Sequence, residues 1–291
     1  MKVLIFNDTS NEHHAGCREL MKNLRALCSE HGLKVLASYS REDIHKGNSV
    51  LIEKMIPAAD LIIINGEGTF HRSPDSTMRM LALCNGKPTV LINTLWENMV
   101  LPKKVLDNVD VVWVRETASY HEAIQVFDPK IVTVVPDLLF LSCGVRQADV
   151  GFSDSVMVVP RAELSRYPNY FPLQCEATDS DFLARVGWMK SLRLLVTGRF
   201  HDVVLASMLS VPFLAVQSNS HKIGSLLDDM GCPEVLLYML DGWVSKKPAA
   251  SAGISKATQY ASRAPAKIRT EFKKLVEVIC AKYAISNPNP E

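Results

Sequence analysis

Ten short runs rich in Val, Ile and Leu recur along the chain, with helix-compatible stretches between them, and this alternation restricts the fold more than any other feature. In the first half the runs are Val3–Phe6, Lys34–Ser38, Leu61–Ile64, Thr89–Ile92, Val111–Val114 and Ile131–Val135. Apolar on both alternating faces, they read as strands buried on two sides, as in a parallel sheet covered by helices. Helices fit between them over Gly16–His31, Asn48–Ala58, Met78–Cys84 and Ala118–Phe127. Gly32, Gly86 and the Asp128-Pro129 pair end three of these segments, as helix-stop and turn chemistry predicts.

Between Leu141 and Ser155 the periodicity fades into a polar linker, then restarts with Val156–Val159, Leu192–Val196, Phe213–Val216 and Val235–Leu237. Helices are expected at Ser180–Lys190, Asp202–Leu209 and Lys222–Met230. With 291 residues the chain is long enough for two domains. The expected fold class is therefore α/β, with two doubly wound domains facing a cleft: residues 1–145 and residues 152–245. Residues 246–291 form a basic tail, with a Lys/Pro/Ala/Ser loop over Lys246–Gly253 and a long amphipathic helix over Lys256–Ala284. Leu275, Val276, Val278 and Ile279 give that helix an apolar stripe, so it packs on something. No internal repeat stands out beyond the alternation itself.

Charge and cysteine usage exclude several classes. The net charge is +1, so nothing in the total points to nucleic acid. From Val244 to Tyr283 nine Lys/Arg against two Glu leave +7, and the rest of the chain carries −6. The seven cysteines are odd in number and never form a Cys-x-x-Cys pair, which disfavours zinc and disulfide scaffolds and favours reduced thiols. No metal or cofactor is expected. The opening residues turn polar too quickly for a signal peptide, and no apolar run approaches the ~18 residues of a membrane span. A cytoplasmic location follows as an expectation.

Polar turns after the strands carry the chemistry, because parallel sheets bind ligands beyond their carboxyl edges. Asn65-Gly-Glu-Gly-Thr-Phe-His71 follows one strand directly; Gly66 and Gly68 let the backbone approach a ligand, with Glu67 between them and His71 at the end. The same segment can be a plain turn, because it lacks both the dinucleotide and the P-loop spacing. Thr9–Cys17 carries His13, His14 and Gly16 at a helix start, a place for a phosphate or carboxylate. Adjacent in sequence, His13 and His14 cannot share a helix face as a metal pair. Arg115 either forks onto an anion or pairs with Glu116; Asp137 is either a cap or a cleft carboxylate. The strongest signal is Val196-Thr-Gly-Arg-Phe-His-Asp-Val-Val, which places Arg199 and His201 at a strand-to-helix turn. A histidine so placed suits general acid–base work, although it can also cap its own helix. The next turn carries Ser218, Asn219, Ser220 and Lys222, suited to an anionic group.

At these residues the chain resembles the polysaccharide pyruvyl transferase family. The matching blocks, in order, are Gly66-Glu-Gly68, Arg115-Glu-Thr-Ala-Ser119, Val135-Pro-Asp137, Thr197-Gly-Arg-Phe-His201, Ser210-Val-Pro212 and Ser220-His-Lys222. Two departures stand out: Asn11-Glu-His-His-Ala-Gly16 where the family carries an Asn-x-Gly-Asp-like signature, and Glu67 inside a loop that is usually all glycine. The resemblance implies a GT-B-like pair of Rossmann-like domains, the N-terminal one on the acceptor side and the C-terminal one on the donor side. It implies transfer of a pyruvyl group from phosphoenolpyruvate to a sugar of a bacterial surface-glycan precursor. In that reading His201 is the acid and Glu67 or Asp137 the base. Arg199, Lys222 and the Ser218–Ser220 turn hold the donor's anions, with Arg115 as a second clamp. Gly66, Gly68, His71, His14 and Gly16 line the acceptor side.

Because the fold is shared with sugar-nucleotide enzymes, a GT-B glycosyltransferase with a nucleotide-activated sugar donor is the alternative. A non-catalytic sugar-binding member is a second alternative, disfavoured by the retained Gly-Arg-x-His segment. The expected partners are that donor, a glycan or lipid-linked sugar acceptor, and peripheral contact of the basic tail with the anionic inner face of the cell membrane.

Overall fold

A computed structural model of the chain describes residues 1–12, 14–45, 49–68, 70, 74–84, 86–142, 155–159, 181–217, 220–237 and 243–285. They divide into two compact units. The first comprises Met1–Asn11, Met21–Leu138 and the chain from Ala266 onward; the second comprises Glu12–Leu20 and Leu139–Pro265.

The first unit holds a six-stranded sheet: β1 (Lys2–Phe6), β2 (Lys34–Tyr39), β3 (Leu61–Asn65), β4 (Thr89–Thr94), β5 (Val111–Val114) and β6 (Val132–Val134), in the spatial order β2-β1-β3-β4-β5-β6. Every neighbouring pair is parallel. β3 and β4 are buried along their whole length, which is why they read as continuous apolar runs rather than alternating ones. Helical segments α2 (Arg41–His45), α3 (Ser49–Met55), α4 (Pro74–Leu83), α5 (Lys103–Leu106) and α6 (Thr117–Ala123) connect the strands. Phe6, Ile62, Ile64, Leu91 and Trp96 centre the core; Trp96 stacks on Phe70 and meets Phe127 edge-on, with ring centroids 5.5 and 5.0 Å apart. Full burial of each such aliphatic side chain is worth about 1.5–3 kcal/mol. Between β1 and β3 the winding reverses, and this switch point is where an open parallel sheet presents its ligand crevice.

The second unit carries a four-stranded parallel sheet of β7 (Ser155–Val159), β8 (Leu192–Thr197), β9 (Phe213–Val216) and β10 (Leu236–Leu237), ordered β10-β9-β8-β7. Among its helices are α7 (Phe182–Lys190), α8 (Phe200–Leu209) and α9 (Lys222–Met230). α8 is apolar nearly all round, and Phe200 to Ser207 are all buried. It stops at Ser210, which takes the left-handed conformation that glycine usually supplies, φ 58°.

Two helices contribute residues to both units: α1 (Ala15–Glu30) and the 41-residue α10 (Trp243–Tyr283). α10 corrects the expectation of a loop over Lys246–Gly253, for that stretch is helical. Ala249, Ala250 and Ala252 are strong helix formers that offset Pro248. Gly253, the last residue of the expected loop, serves packing: a Cβ there would come within 2.6 Å of Val235 Cγ1. The apolar stripe is as expected at Leu275, Val276 and Ile279, joined by Ile268 and Phe272, but Val278 is exposed and lies off the packed face. Among the described residues no helix is long and apolar enough to cross a membrane.

Candidate active site

In the second unit β8 ends at Thr197, and the chain turns through Gly198 and Arg199 into α8. Thr197 Oγ1 accepts the Arg199 backbone N–H at 3.1 Å and donates to Asp202 Oδ2 at 3.1 Å. Asp202 also takes two bonds from Arg185 of α7, at 2.7 and 2.8 Å. Both partners are buried, so the two-pronged pair satisfies charges that would otherwise be costly to remove from water. This network fixes the turn that carries Arg199 and His201.

His201 lies inside the first turn of α8, not at its cap; the cap position belongs to Arg199. It is 7% exposed. The first turn of α1 packs directly on its ring. A Cβ on Gly16 would lie 2.7 Å from both His201 Cβ and Nδ1, so only glycine admits the contact. His14 tilts against His201 with ring centroids 5.3 Å apart, and Cys17 Sγ stands 4.0 Å from His201 Nδ1. His14, Gly16, Arg185, His201 and Asp202 line one pocket, closed on its apolar side by Leu139, Phe182 and Leu205.

β9 neighbours β8 in the same parallel sheet, so the turn after β9 opens at the same carboxyl edge. There Ser220 is buried, its carbonyl accepting from Gln217 Nε2 at 3.3 Å, and Lys222 opens α9 half-exposed. Ser218 and Asn219, like His13 and His71, lie outside the described residues.

The first unit has its own polar edge at the switch point. Asn7, in the left-handed region at φ 57°, donates to the Asn65 carbonyl at 2.6 Å and to the Glu67 carbonyl at 3.3 Å. Asn65 Nδ2 returns a bond to the Asn7 carbonyl at 3.3 Å. Glu67 is half-buried, and its carboxylate accepts from Thr9 Oγ1 at 3.0 Å. Gly66 is required by packing, for a Cβ would stand 2.3 Å from Thr94 Oγ1; Gly68 is left-handed at φ 63° and faces open space. Beside them, burial pushes the Asp8 carboxyl up, but hydrogen bonds from Ser10 and Ser38 and the Arg25 guanidinium outweigh it and hold the group below its ordinary value.

Arg115 takes the Glu116 pairing that the sequence offered as an alternative to an anion clamp, and Asp137 joins it. Arg115 is 2% exposed and Asp137 fully buried. The guanidinium lies 3.4 Å from Asp137 and 3.6 Å from the buried Glu116, whose carboxylate also accepts from Ser119 Oγ. The three are engaged with one another just beyond the ends of β5 and β6 and are buried. Periodicity carries no sign of this, because a charge at a strand end looks the same in sequence whether it turns outward or into a buried pair.

His201, His14 and Gly16 are thus brought together, and Arg199, Ser220 and Lys222 share their sheet edge. Sequence reasoning missed Arg185, Asp202, Cys17 and Thr9. It also missed the asparagines directly after the apolar runs at Phe6-Asn7 and Ile92-Asn93; both are left-handed, and Asn93 Oδ1 accepts from the Leu138 backbone N–H at 3.1 Å. An asparagine directly after a buried run is the signal that would have found them.

Among solved structures the chain is similar to UDP-GlcNAc 2-epimerase from Neisseria meningitidis bound to UDP-GlcNAc, at 11% identity over 97% of this chain and 100% of that one, TM-score 0.57. It is likewise similar to the S. aureus MnaA–UDP co-structure, at 11% identity over 100% and 99% of the two chains, TM-score 0.59. At such identity the likeness concerns the fold, which is GT-B-like. No curated protein matches significantly. The family profile described as Polysaccharide pyruvyl transferase matches residues 14–220, spanning every polar turn assembled above except those ahead of His14 and behind Ser220. The chain belongs to the polysaccharide pyruvyl transferase family.

Proposed function

We propose that the protein is a transferase that moves a pyruvyl group from phosphoenolpyruvate onto a sugar diol of a surface-glycan precursor. The observation that carries this reading is His201, buried in the first turn of α8 beside Arg199 and pinned by Gly16. The reaction needs a proton delivered to the enol methylene carbon, and His201 supplies it. The adjoining carbon then bears oxocarbenium character and accepts one sugar hydroxyl. Its bond to the phosphate oxygen breaks, phosphate leaves with the electron pair, and the second hydroxyl closes the ketal. The two hydroxyl protons balance the one gained by the methyl group and the one carried by phosphate.

Arg199 and Lys222 serve the donor's carboxylate and phosphate, Arg199 by its planar fork and Lys222 as a point charge at the amino end of α9. A base must take the acceptor proton. Of the two carboxylates considered, Asp137 is already engaged by Arg115, which leaves Glu67 as the proposed base. Donor class is decided by mass: a pyruvate ketal adds pyruvate less one water, whereas a whole glycosyl increment overturns this reading in favour of a sugar-nucleotide donor. Thermal stabilisation by phosphoenolpyruvate, and not by a panel of sugar nucleotides, is the matching binding result.

A lipid-linked acceptor would bring the basic α10 to an anionic leaflet. Opposing that, four of its cations already serve carboxylates: Lys282 to Asp110 at 2.6 Å, Lys256 to Glu234 at 3.2 Å, Arg269 to Glu30 at 3.3 Å and Lys274 to Glu271 at 2.8 Å. Salt-reversible sedimentation with anionic vesicles tests the contact, and its absence at every salt concentration removes it.

A further inference from the structure

The second unit gathers three metal-ligating side chains whose grouping is invisible in the sequence. His14 and Cys17 are three residues apart across the start of α1, and the His14 carbonyl accepts both the Cys17 and Arg18 backbone N–H groups, at 3.1 and 3.3 Å. That closed turn sets the two side chains on one face of the helix start. The third, His201, comes from α8, and Cys17 Sγ lies 4.0 Å from its Nδ1. One ligand atom from each residue falls within 4.8 Å of the other two. Tetrahedral zinc with two Zn–N bonds and one Zn–S bond wants ligand atoms about 3.3–3.7 Å apart, from bond lengths of about 2.0–2.3 Å. Side-chain motion of roughly 1 Å closes the difference. Gly16 makes the approach feasible, since any side chain there would displace the His201 ring from this position.

We propose that His14, Cys17 and His201 form a three-ligand site for a soft divalent cation of the zinc class. Thiolate and imidazole are the ligands that such an ion selects, and magnesium or calcium, which take oxygen ligands, are excluded by the same donor set. One thiolate and two neutral imidazoles leave the bound ion a single positive charge and an open fourth position for water or an anion. Four-cysteine and Cys₂His₂ structural sites close that position; a site of this kind keeps it available. The regulatory consequence rests on the function proposed above: a cation that holds the His201 imidazole takes it out of proton transfer, so the metal is an inhibitor competing with the histidine's acid role.

The test uses the full-length, metal-stripped protein titrated with cobalt(II) and zinc(II). One equivalent of cobalt is expected, with a near-ultraviolet thiolate-to-cobalt charge-transfer band that zinc abolishes. Cys17→Ser, a nearly isosteric change, should remove the band and weaken zinc binding by about 100-fold, the upper end of what loss of a merely supporting residue costs. His14→Ala, at the less buried position, should weaken zinc binding comparably, and circular dichroism confirms that each variant is folded. Stoichiometric binding that survives Cys17→Ser, or cobalt binding without a thiolate band, overturns the site. Binding with the expected ligand dependence together with zinc inhibition of transfer supports both site and consequence. The same binding with no inhibition sustains the site and overturns the acid role of His201 instead.

Discussion

At the scale of single residues, the approach of Gly16 to His201 is a tight constraint on the candidate site. Gly16→Ala introduces a Cβ within 2.7 Å of the ring and must move one or the other. Overpacking of this kind costs about 1–3 kcal/mol, and the displaced imidazole should lower turnover as well. Denaturant unfolding beside a kinetic assay checks both; unchanged stability and unchanged rate would show that the ring has room. Asp202 makes a second point. Asp202→Ala strands the Arg185 guanidinium in a buried place, a loss of about 3–5 kcal/mol, whereas a double change to well-packed apolar residues should recover much of it. If Asp202→Ala proves neutral, water reaches Arg185 and the network does not fix the turn. Burial pushes the thiols of Cys28 and Cys84 up to about 12, so among the described cysteines Cys17, which is the least buried, should react first with a maleimide at neutral pH.

Among the elements, α10 ends in a contact that depends on pH. Tyr283 donates to Asp110 Oδ1 at 2.9 Å, and Lys282 pairs with the same oxygen. Burial, that hydrogen bond and the Asp110 charge push the Tyr283 phenol up to about 12. Since the folded value lies above the ordinary one, the unfolded chain loses the phenolic proton first as the pH rises. The contribution to stability is therefore full below about pH 10 and is lost between about 10 and 12. Tyr283→Phe should flatten that part of the stability profile; an unaltered alkaline limb would mean that other groups set it. The same helix shows what sequence could and could not give. All ten described strands and most described helices are legible in the sequence, because buried parallel strands and capped helices leave local signals. Residues 246–253 were misread because glycine and proline mark loops in isolation, while tertiary contact with Val235 decides in favour of helix. The site divides in the same way. Arg199 and His201 sit in one local turn and can be singled out from sequence; the partners of His201 come from the first turn of a helix near the other end of the chain, and nothing local announces them.

For the whole molecule, the order of events during folding follows from one contact already described. Cys17 and His201 meet across 184 residues of chain, and the pinning of the histidine by Gly16 spans one residue more. Such a closure is among the most non-local in the molecule, and topology of that kind forms slowly because the loop entropy is lost before the contact rewards it. The strands and helices on either side are built from nearer neighbours and should be in place sooner. Refolding from denaturant should accordingly recover far-ultraviolet circular dichroism ahead of catalytic competence, with a measurable lag between them. Simultaneous recovery would place the closure early, in the nucleus. If the lag is found, the histidine's surroundings are the last part of this protein to exist, and a chain arrested just short of the native state would look folded while remaining chemically silent.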